Sequence, residues 1–371
     1  MLIEELQNLH SSKLIDEISL ITAFVLSLTI SYIIFPKIIY ISFKKNLVSD
    51  LNERSSHVNK TPTLGGISIF IAIMLTLSFY CSYFESKNYS SLSASLIILF
   101  FMGVKDDVLV LTARKKFFGQ IIAALIVIII SDVRIKNLHG LFGIEDLNYI
   151  VSVLLSLFTY IFMINAYNLI DGIDGLAGSI GILFSLVIGI CFYYIDEIFY
   201  AVISFSLMGA LLAFLYYNFS KYQKIFMGDT GSMIVGFLIS YLSILFISNP
   251  EITIGNVSFS NLPIIVMSLF FYPLIDTIRI FSLRLFILKK SPFLADSNHM
   301  HHRLLSLRLT HKEITFLISF LTLLLFFSSL TLNLLNINIQ FTCIMAMGVT
   351  YFSLPFILYH LFIKKNEIKI V

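Results

Sequence analysis

The chain has 371 residues, 58% of them hydrophobic and 13% charged, with a mean hydropathy of +0.92. Soluble domains average nearer a quarter charged, so this composition excludes a water-soluble globule, and most side chains must meet lipid or other helices. The 25 Lys and Arg barely exceed the 22 Asp and Glu; no nucleic-acid partner is expected, and the placement of the charges matters more than their sum.

A bilayer core takes about 20 apolar residues of helix. The first such run, at about 18–42, has no small-residue cleavage site after it and is read as a retained helix. Ten more follow at about 66–84, 90–104, 117–131, 149–167, 176–194, 199–217, 233–249, 262–284, 313–334 and 340–363. The third and fourth are short and extend into the flanking polar loops. The longest polar stretches are 43–65 and 285–312, and no repeat, linker or soluble domain interrupts the pattern. The expectation is an all-α integral membrane protein, a polytopic bundle of about 11 transmembrane helices forming a single domain over 1–371. Cys81, Cys191 and Cys343 each lie in an apolar run without metal-like spacing, so no disulfide is expected.

Basic residues orient the bundle. Lys13, Lys87, Arg134 and Lys136 fall in the gaps on the side of the N-terminus, and Lys37 and Arg279 lie within spans. The other nineteen of the 25 fall in the opposite gaps or the C-terminal tail. Cytoplasmic loops carry the excess of Lys and Arg. The N-terminus is therefore expected in the periplasm of a bacterial inner membrane, with the C-terminus and the polar loops 105–116, 221–231 and 285–312 in the cytoplasm.

Five polar constellations collect on that cytoplasmic side. Asp106 and Asp107 follow Gly103-Val104-Lys105, with Lys116 and Gln120 beyond. Adjacent carboxylates at a membrane boundary repel and lose hydration, so they need a cation or a proton; a solvated charge cluster is the plainer alternative. Asn165-Ala166-Tyr167-Asn168 leads to Asp171-Gly172-Ile173-Asp174-Gly175. On a helix Asp171 and Asp174 share a face, and without a basic neighbour they read as a cation site more than as a cap. In Met227-Gly228-Asp229-Thr230-Gly231-Ser232, preceded by Asn218, the helix N-terminus would welcome a phosphate, although Asp229 or Thr230 could equally be an N-cap. His299-Met300-His301-His302-Arg303 follows Ser291-Pro292-Phe293 and Asp296. The oxygen-rich motifs elsewhere favour Mg²⁺ over Zn²⁺, so these histidines are better used as donors to phosphate or sugar. Arg54, His57 and Lys60 precede Pro62-Thr63 and Gly65-Gly66 at headgroup level. Asp276 and Arg279, an i,i+3 pair inside the ninth run, read as mutual neutralisation.

Taken in order, Asp106-Asp107, Asn168-x-x-Asp171-Gly172-x-Asp174-Gly175, Met227-Gly228-Asp229-x-Gly231-Ser232 and His299-x-His301-His302 resemble the WecA/MraY superfamily, over about 54–303. MraY-type enzymes carry three successive histidines and a glutamate in the last loop. His-x-His-His-Arg is similar to the WecA-type branch, the polyprenyl-phosphate N-acetylhexosamine-1-phosphate transferases. The resemblance implies transfer of an N-acetylhexosamine 1-phosphate from a UDP-N-acetylhexosamine to polyprenyl (undecaprenyl) phosphate, releasing UMP. The product would be the first lipid-linked intermediate of a cell-surface glycan, such as the O-antigen of lipopolysaccharide or a teichoic acid. It further implies Mg²⁺, with Mn²⁺ as a substitute, on Asn168 and Asp229, and Asp106 and Asp107 at the lipid phosphate. Asp171 and Asp174 would shape the nucleotide-sugar site and Lys116 would meet the phosphates. His299, His301, His302 and Arg303 would lie at the sugar-phosphate end, with Arg54 and Lys60 contacting substrate. Membrane lipid surrounds such an enzyme, and a homodimer is a possible assembly. The competing readings are a phospho-N-acetylmuramoyl-pentapeptide transferase, a transporter or flippase of anionic lipid or nucleotide sugar, and a non-catalytic assembly factor. A transporter would place polar groups near the midplane.

Overall fold

The structure is a computed structural model that describes residues 2–48, 60–81, 86–254, 257–287, 289 and 299–358. Over its described residues each predicted apolar run is mainly helical, because in a long apolar segment only helix satisfies each backbone group internally. In chain order the elements are α1 (Leu2–Lys44), α2 (Gly65–Phe79), α3 (Ser86–Leu109), α4 (Ala113–Ile130), α5 (Tyr149–Ile170), α6 (Leu176–Tyr194), α7 (Ile198–Asn218) and α8 (Gly228–Ile247). They continue as β1 (Ile252–Ile254), β2 (Val257–Phe259), α9 (Leu262–Leu269), α10 (Phe271–Ser282), α11 (Met300–Ser306), α12 (His311–Thr331) and α13 (Ile337–Leu358). The two strands form an antiparallel hairpin with Ile252 opposite Phe259 and Ile254 opposite Val257.

By length and composition seven of these helices can cross a membrane, and eight if the bent pair α9–α10 counts as one span. The expected count of eleven is not reached by that measure. α2 has only 15 residues, the first half of α3 is diluted by Asn88 and serines at 90, 91, 93 and 95, and α4 opens on Arg114, Lys115 and Lys116. The ninth run is broken rather than straight, bending by 73° between α9 and the α10 segment. Pro273, just past the break, has no N–H to give the carbonyl of Leu269 four residues back, which weakens the ladder there.

Helix ends follow local chemistry. Asn148 Oδ1 accepts the Val151 N–H at 2.9 Å and starts α5. Thr310 and Glu313 form a reciprocal capping box at the start of α12.

α8 is the hub. In its apolar window 89% of residues are buried inside the protein, against 22% for α13, so α8 is enclosed by other helices while α13 lies at the periphery. It packs against α2, α3, α5 and α6. The crossings are tight: a Cβ on Gly66 would overlap the backbone nitrogen of Gly231, and one on Gly103 would overlap Cα of Thr230. Between helices in lipid, small residues and cross-helix hydrogen bonds replace the hydrophobic drive. Ser95 Oγ donates to the Ala123 carbonyl at 2.8 Å between α3 and α4, and Ser27 Oγ to that of Ser206 at 2.7 Å between α1 and α7; each such bond contributes roughly 0.6 kcal/mol. The same close packing brings the first turn of α8 against the ends of α2 and α3.

Candidate active site

The site is built where α3, α4, α5 and α8 present their polar ends to one another. The strand-like segment entering α2 sets the approach to α8. Phe226 N–H donates to the Pro62 carbonyl at 2.8 Å, while Gly65 and Gly66 donate to the carbonyls of Phe226 and Met227 at 3.0 and 2.8 Å. Gly228 then takes φ +72°, and a Cβ there would overlap the Thr63 carbonyl oxygen. Glycine at this position therefore turns the chain into α8 with Asp229 in its first turn.

Asp229 is the meeting point. Its Oδ1 accepts from Asn168 Nδ2 at 2.7 Å, and its Oδ2 lies 3.2 Å from Lys116 Nζ. Lys116 also pairs with Asp106, whose Oδ1 accepts the Leu111 N–H at 2.5 Å. Asn168 further donates to Ser232 Oγ at 2.7 Å. Three motifs spread over 106–232 thus converge on one lysine-bridged centre.

Asp107 has a different occupation from its neighbour. It accepts from the N–H groups of Asp229 (2.8 Å) and Thr230 (3.0 Å) and from Thr230 Oγ1 (2.5 Å). It thereby caps α8 from another helix, where the positive end of the macrodipole favours a carboxylate. The expected contact with a lipid phosphate is not what its two oxygens are engaged in here. Nor does α8 carry an N-cap side chain of its own; neither Asp229 nor Thr230 caps it.

Asp171 and Asp174 do not share a helix face, because α5 stops at Ile170 and Asp171 is its C-cap. Asp171 accepts the Gly228 N–H, and burial, then the charge of Asp229, push its carboxyl well above the ordinary 3.8. Asp174 turns the other way. It pairs with Lys224 at 2.5 Å and lies 3.3 Å from His311 Nδ1, and its own carbonyl accepts from Thr315 Oγ1 at 2.8 Å. The expectation of a carboxylate without a basic neighbour is therefore corrected for Asp174: its cation comes from fifty residues along the chain. Asn218 ties the two loops, accepting from Gly175 N at 2.6 Å and donating to the Ile225 carbonyl at 2.8 Å.

The histidine motif reaches the same region. Both His299 and His301 are buried, with rings stacked at 5.3 Å and 6°, and His301 Nε2 lies 3.0 Å from where a Cβ on Gly172 would be. Arg303 is exposed on α11, and Lys60 is exposed ahead of α2. Arg54 and the side chain of His302 lie outside the described residues, as do His57, 291–293 and Asp296. Sequence reasoning passed over Lys224 and His311 as site residues; the one available signal was that Lys224 shares a polar gap with Asp229.

Among the described residues no group of three or more His, Cys, Asp or Glu side chains forms a ready metal cage. Mg²⁺ does not require one, since it binds through one or two carboxylates plus substrate phosphates and water. The donor set of Asp229, Asn168 and Ser232 supplies hard oxygens, although the Asn168 amide here turns its nitrogen to both partners. This centre gathers four carboxyl groups, Asp106, Asp107, Asp171 and Asp229, and one lysine, Lys116, which pairs with Asp106 and Asp229. That surplus of acidic groups over basic ones, crowded enough to push the Asp171 carboxyl up, fits a further cation.

The glycosyl transferase family 4 profile matches residues 89–247, the stretch that holds Asp106 through Asp229. A probable undecaprenyl-phosphate N-acetylglucosaminyl 1-phosphate transferase of Bacillus subtilis is 30% identical over 306 residues, 81% of either chain. A decaprenyl-phosphate N-acetylglucosaminephosphotransferase of Mycobacterium leprae is 33% identical over 291 residues, 72% of either chain. An undecaprenyl-phosphate alpha-N-acetylglucosaminyl 1-phosphate transferase of Yersinia pestis is 27% identical, covering 75% of either chain. With that likeness along most of the chain, and with its motifs drawn into one acidic centre, this multi-pass membrane protein belongs to glycosyl transferase family 4, among the polyprenyl-phosphate N-acetylhexosamine-1-phosphate transferases.

Proposed function

We propose that the chain transfers an N-acetylhexosamine 1-phosphate from a UDP-N-acetylhexosamine to a polyprenyl phosphate at the cytoplasmic face of a bacterial inner membrane. A phosphate oxygen of the lipid attacks the sugar-bearing phosphorus of the donor. The bond from that phosphorus to the bridging oxygen breaks, and UMP leaves with the oxygen. A phosphate monoester has its second pKa near 6, so the acceptor arrives as a dianion and charge balances without a proton transfer. The single observation that carries the reading is the convergence of four carboxyl groups, Asp106, Asp107, Asp171 and Asp229, on a helix N-terminus where Lys116 pairs with two of them. Joining two anions demands charge neutralisation and alignment more than covalent help.

Asp229 and Asn168 would hold Mg²⁺ or Mn²⁺, which when bound neutralises the donor diphosphate. Lys116 is placed to exchange a carboxylate for a phosphate oxygen, and Asp106 keeps its ammonium at the site until then. Asp171 and Gly172 form the floor against which His301 stands, at the sugar-phosphate end. Orientation rests on the basic residues, nineteen on one side against four on the other. The names of the relatives make N-acetylglucosamine the first donor to test, and the product the first lipid-linked intermediate of a surface glycan such as O-antigen or teichoic acid.

The test is UMP release by purified protein in detergent with Mg²⁺, a polyprenyl phosphate and a panel of UDP-sugars. Release should require both substrates and favour one N-acetylhexosamine. No release from any donor, with an active relative assayed alongside, would overturn the reading.

A further inference from the structure

The ninth apolar run carries a carboxylate, Asp276, that the proposed chemistry does not use. It lies in α10, beyond the 73° bend, and its side chain is 1% exposed. All of its acceptor capacity faces the protein. Oδ2 lies 2.8 Å from His299 Nδ1, and Oδ1 accepts the Met300 N–H at 2.9 Å and Arg279 Nη2 at 3.1 Å. One carboxylate therefore grips the side chain of His299 and the backbone of the next residue, where α11 begins. A carboxylate on Nδ1 also selects the tautomer with its proton there and fixes the ring plane. That plane is the one on which His301 stacks, and His301 in turn abuts Gly172, next to Asp171.

We propose that Asp276 is a positioning residue for donor recognition: it latches the histidine motif to α10, and through His299 it sets the stance of His301 against the Asp171-Gly172 turn. The assignment rests on the transferase reading for the word donor, but the latch does not. His299, expected from the sequence to touch substrate, becomes the internal link of this chain, and His301 the member that faces the site. Arg279 is the counter-charge that lets the carboxylate remain ionised in a buried place. Mutual neutralisation of Asp276 and Arg279, the plain reading of an i,i+3 pair, accounts for only one of the three bonds.

Two measurements on the full-length protein in detergent test it, with Asp276→Asn keeping the shape and Asp276→Ala removing the grip. In hydrogen exchange without substrates, the amides of residues 300–306 should exchange faster in Asp276→Ala, with α5 and α8 unchanged. In UMP release, Asp276→Asn should raise KM for the UDP-sugar by about tenfold, the loss expected for one charge-assisted hydrogen bond. KM for polyprenyl phosphate and the Mg²⁺ requirement should stay as in wild type, with kcat little changed. Unaltered exchange at 300–306 would overturn the latch. Faster exchange with an unchanged donor KM, or with both substrates' KM rising together, would overturn its role in donor recognition. A wild type that releases no UMP would refute the transferase reading, while the exchange data would still decide the latch.

Discussion

The two ends of α8 show the same helix put to opposite uses. At its N-terminal end Asp229 shares Lys116 with Asp106, Asp107 caps the first turn, and Asp171 closes in from α5. Acidic groups there outnumber the one lysine, and the Asp106 side chain is 1% exposed. At the C-terminal end the polar groups are matched. His139 Nε2 lies 2.7 Å from the Ile247 carbonyl, and Ser248 Oγ donates to the Arg134 carbonyl at 3.2 Å. Arg134 and Lys136 both pair with Asp132, at 2.6 and 2.8 Å, and Asp132 is 45% exposed. A hydrated and compensated charge holds a loop in place. A crowd of acidic groups has no structural advantage, and in the proposed function a cation and a phosphate would complete it.

The sharpest break of this contrast is Asp229→Asn, which keeps the shape but removes the charge at the meeting point. Turnover should fall by about a thousandfold or more, with an unchanged melting transition, and chelation should silence wild type until Mg²⁺ or Mn²⁺ is restored. If the variant kept most of its activity at saturating Mg²⁺, the surplus would be incidental. Next comes Lys116→Met, which leaves Asp106 and Asp229 facing each other without their shared cation. We expect roughly a hundredfold loss of turnover, measured as UMP release, and a loss confined to stability would reassign the lysine to architecture.

Asp107→Ala should combine both characters. Removing the cap of α8 costs about 1–2 kcal/mol, visible as a lower thermal midpoint, and turnover should suffer more than donor binding because Asp229 loses its anchor. Thr230→Val, which removes one of the three bonds, should give a smaller shift of the same kind. The smallest effect belongs to the other end. Asp132→Asn should leave turnover within about twofold and cost under about 1 kcal/mol, as exposed pairs do. Burial raises the Asp132 carboxyl, but Lys136 and Arg134 outweigh it and hold it below the ordinary 3.8. Its contribution is thus complete above that value and lost as pH falls through the folded one, so the midpoints of variant and wild type should converge in acid.

The apolar runs were legible because hydropathy is summed over a segment and needs no partner. Over their described residues all eleven are mainly helical, with ends within a few residues of expectation in most cases. Their number as crossings was not legible, since α2, α3 and α4 are too short or too polar for length alone to decide, and the bend before Pro273 was hidden inside an unbroken apolar stretch. The site followed the same division. Asp106, Lys116, Asn168 and Asp229 could be picked out because acidic and amide residues at the ends of apolar runs are costly without a purpose.

Composition and order in the chain by themselves determined a membrane protein, the helices that build it, the face on which its polar groups collect and the family it resembles. Tertiary structure alone decided what each carboxylate holds. Asp106 and Asp107 are neighbours in sequence, yet one meets Lys116 and the other the backbone of α8, 122 residues on. Asp171 and Asp174 part in the same way, toward Gly228 and toward Lys224. Asp276 finds His299 because the chain bends between α9 and α10 and α11 returns to α10. Hydrogen bonds and ion pairs act over about 3 Å in space, and separation along the chain carries no information about which distant group the packing of glycines and helices will bring that near.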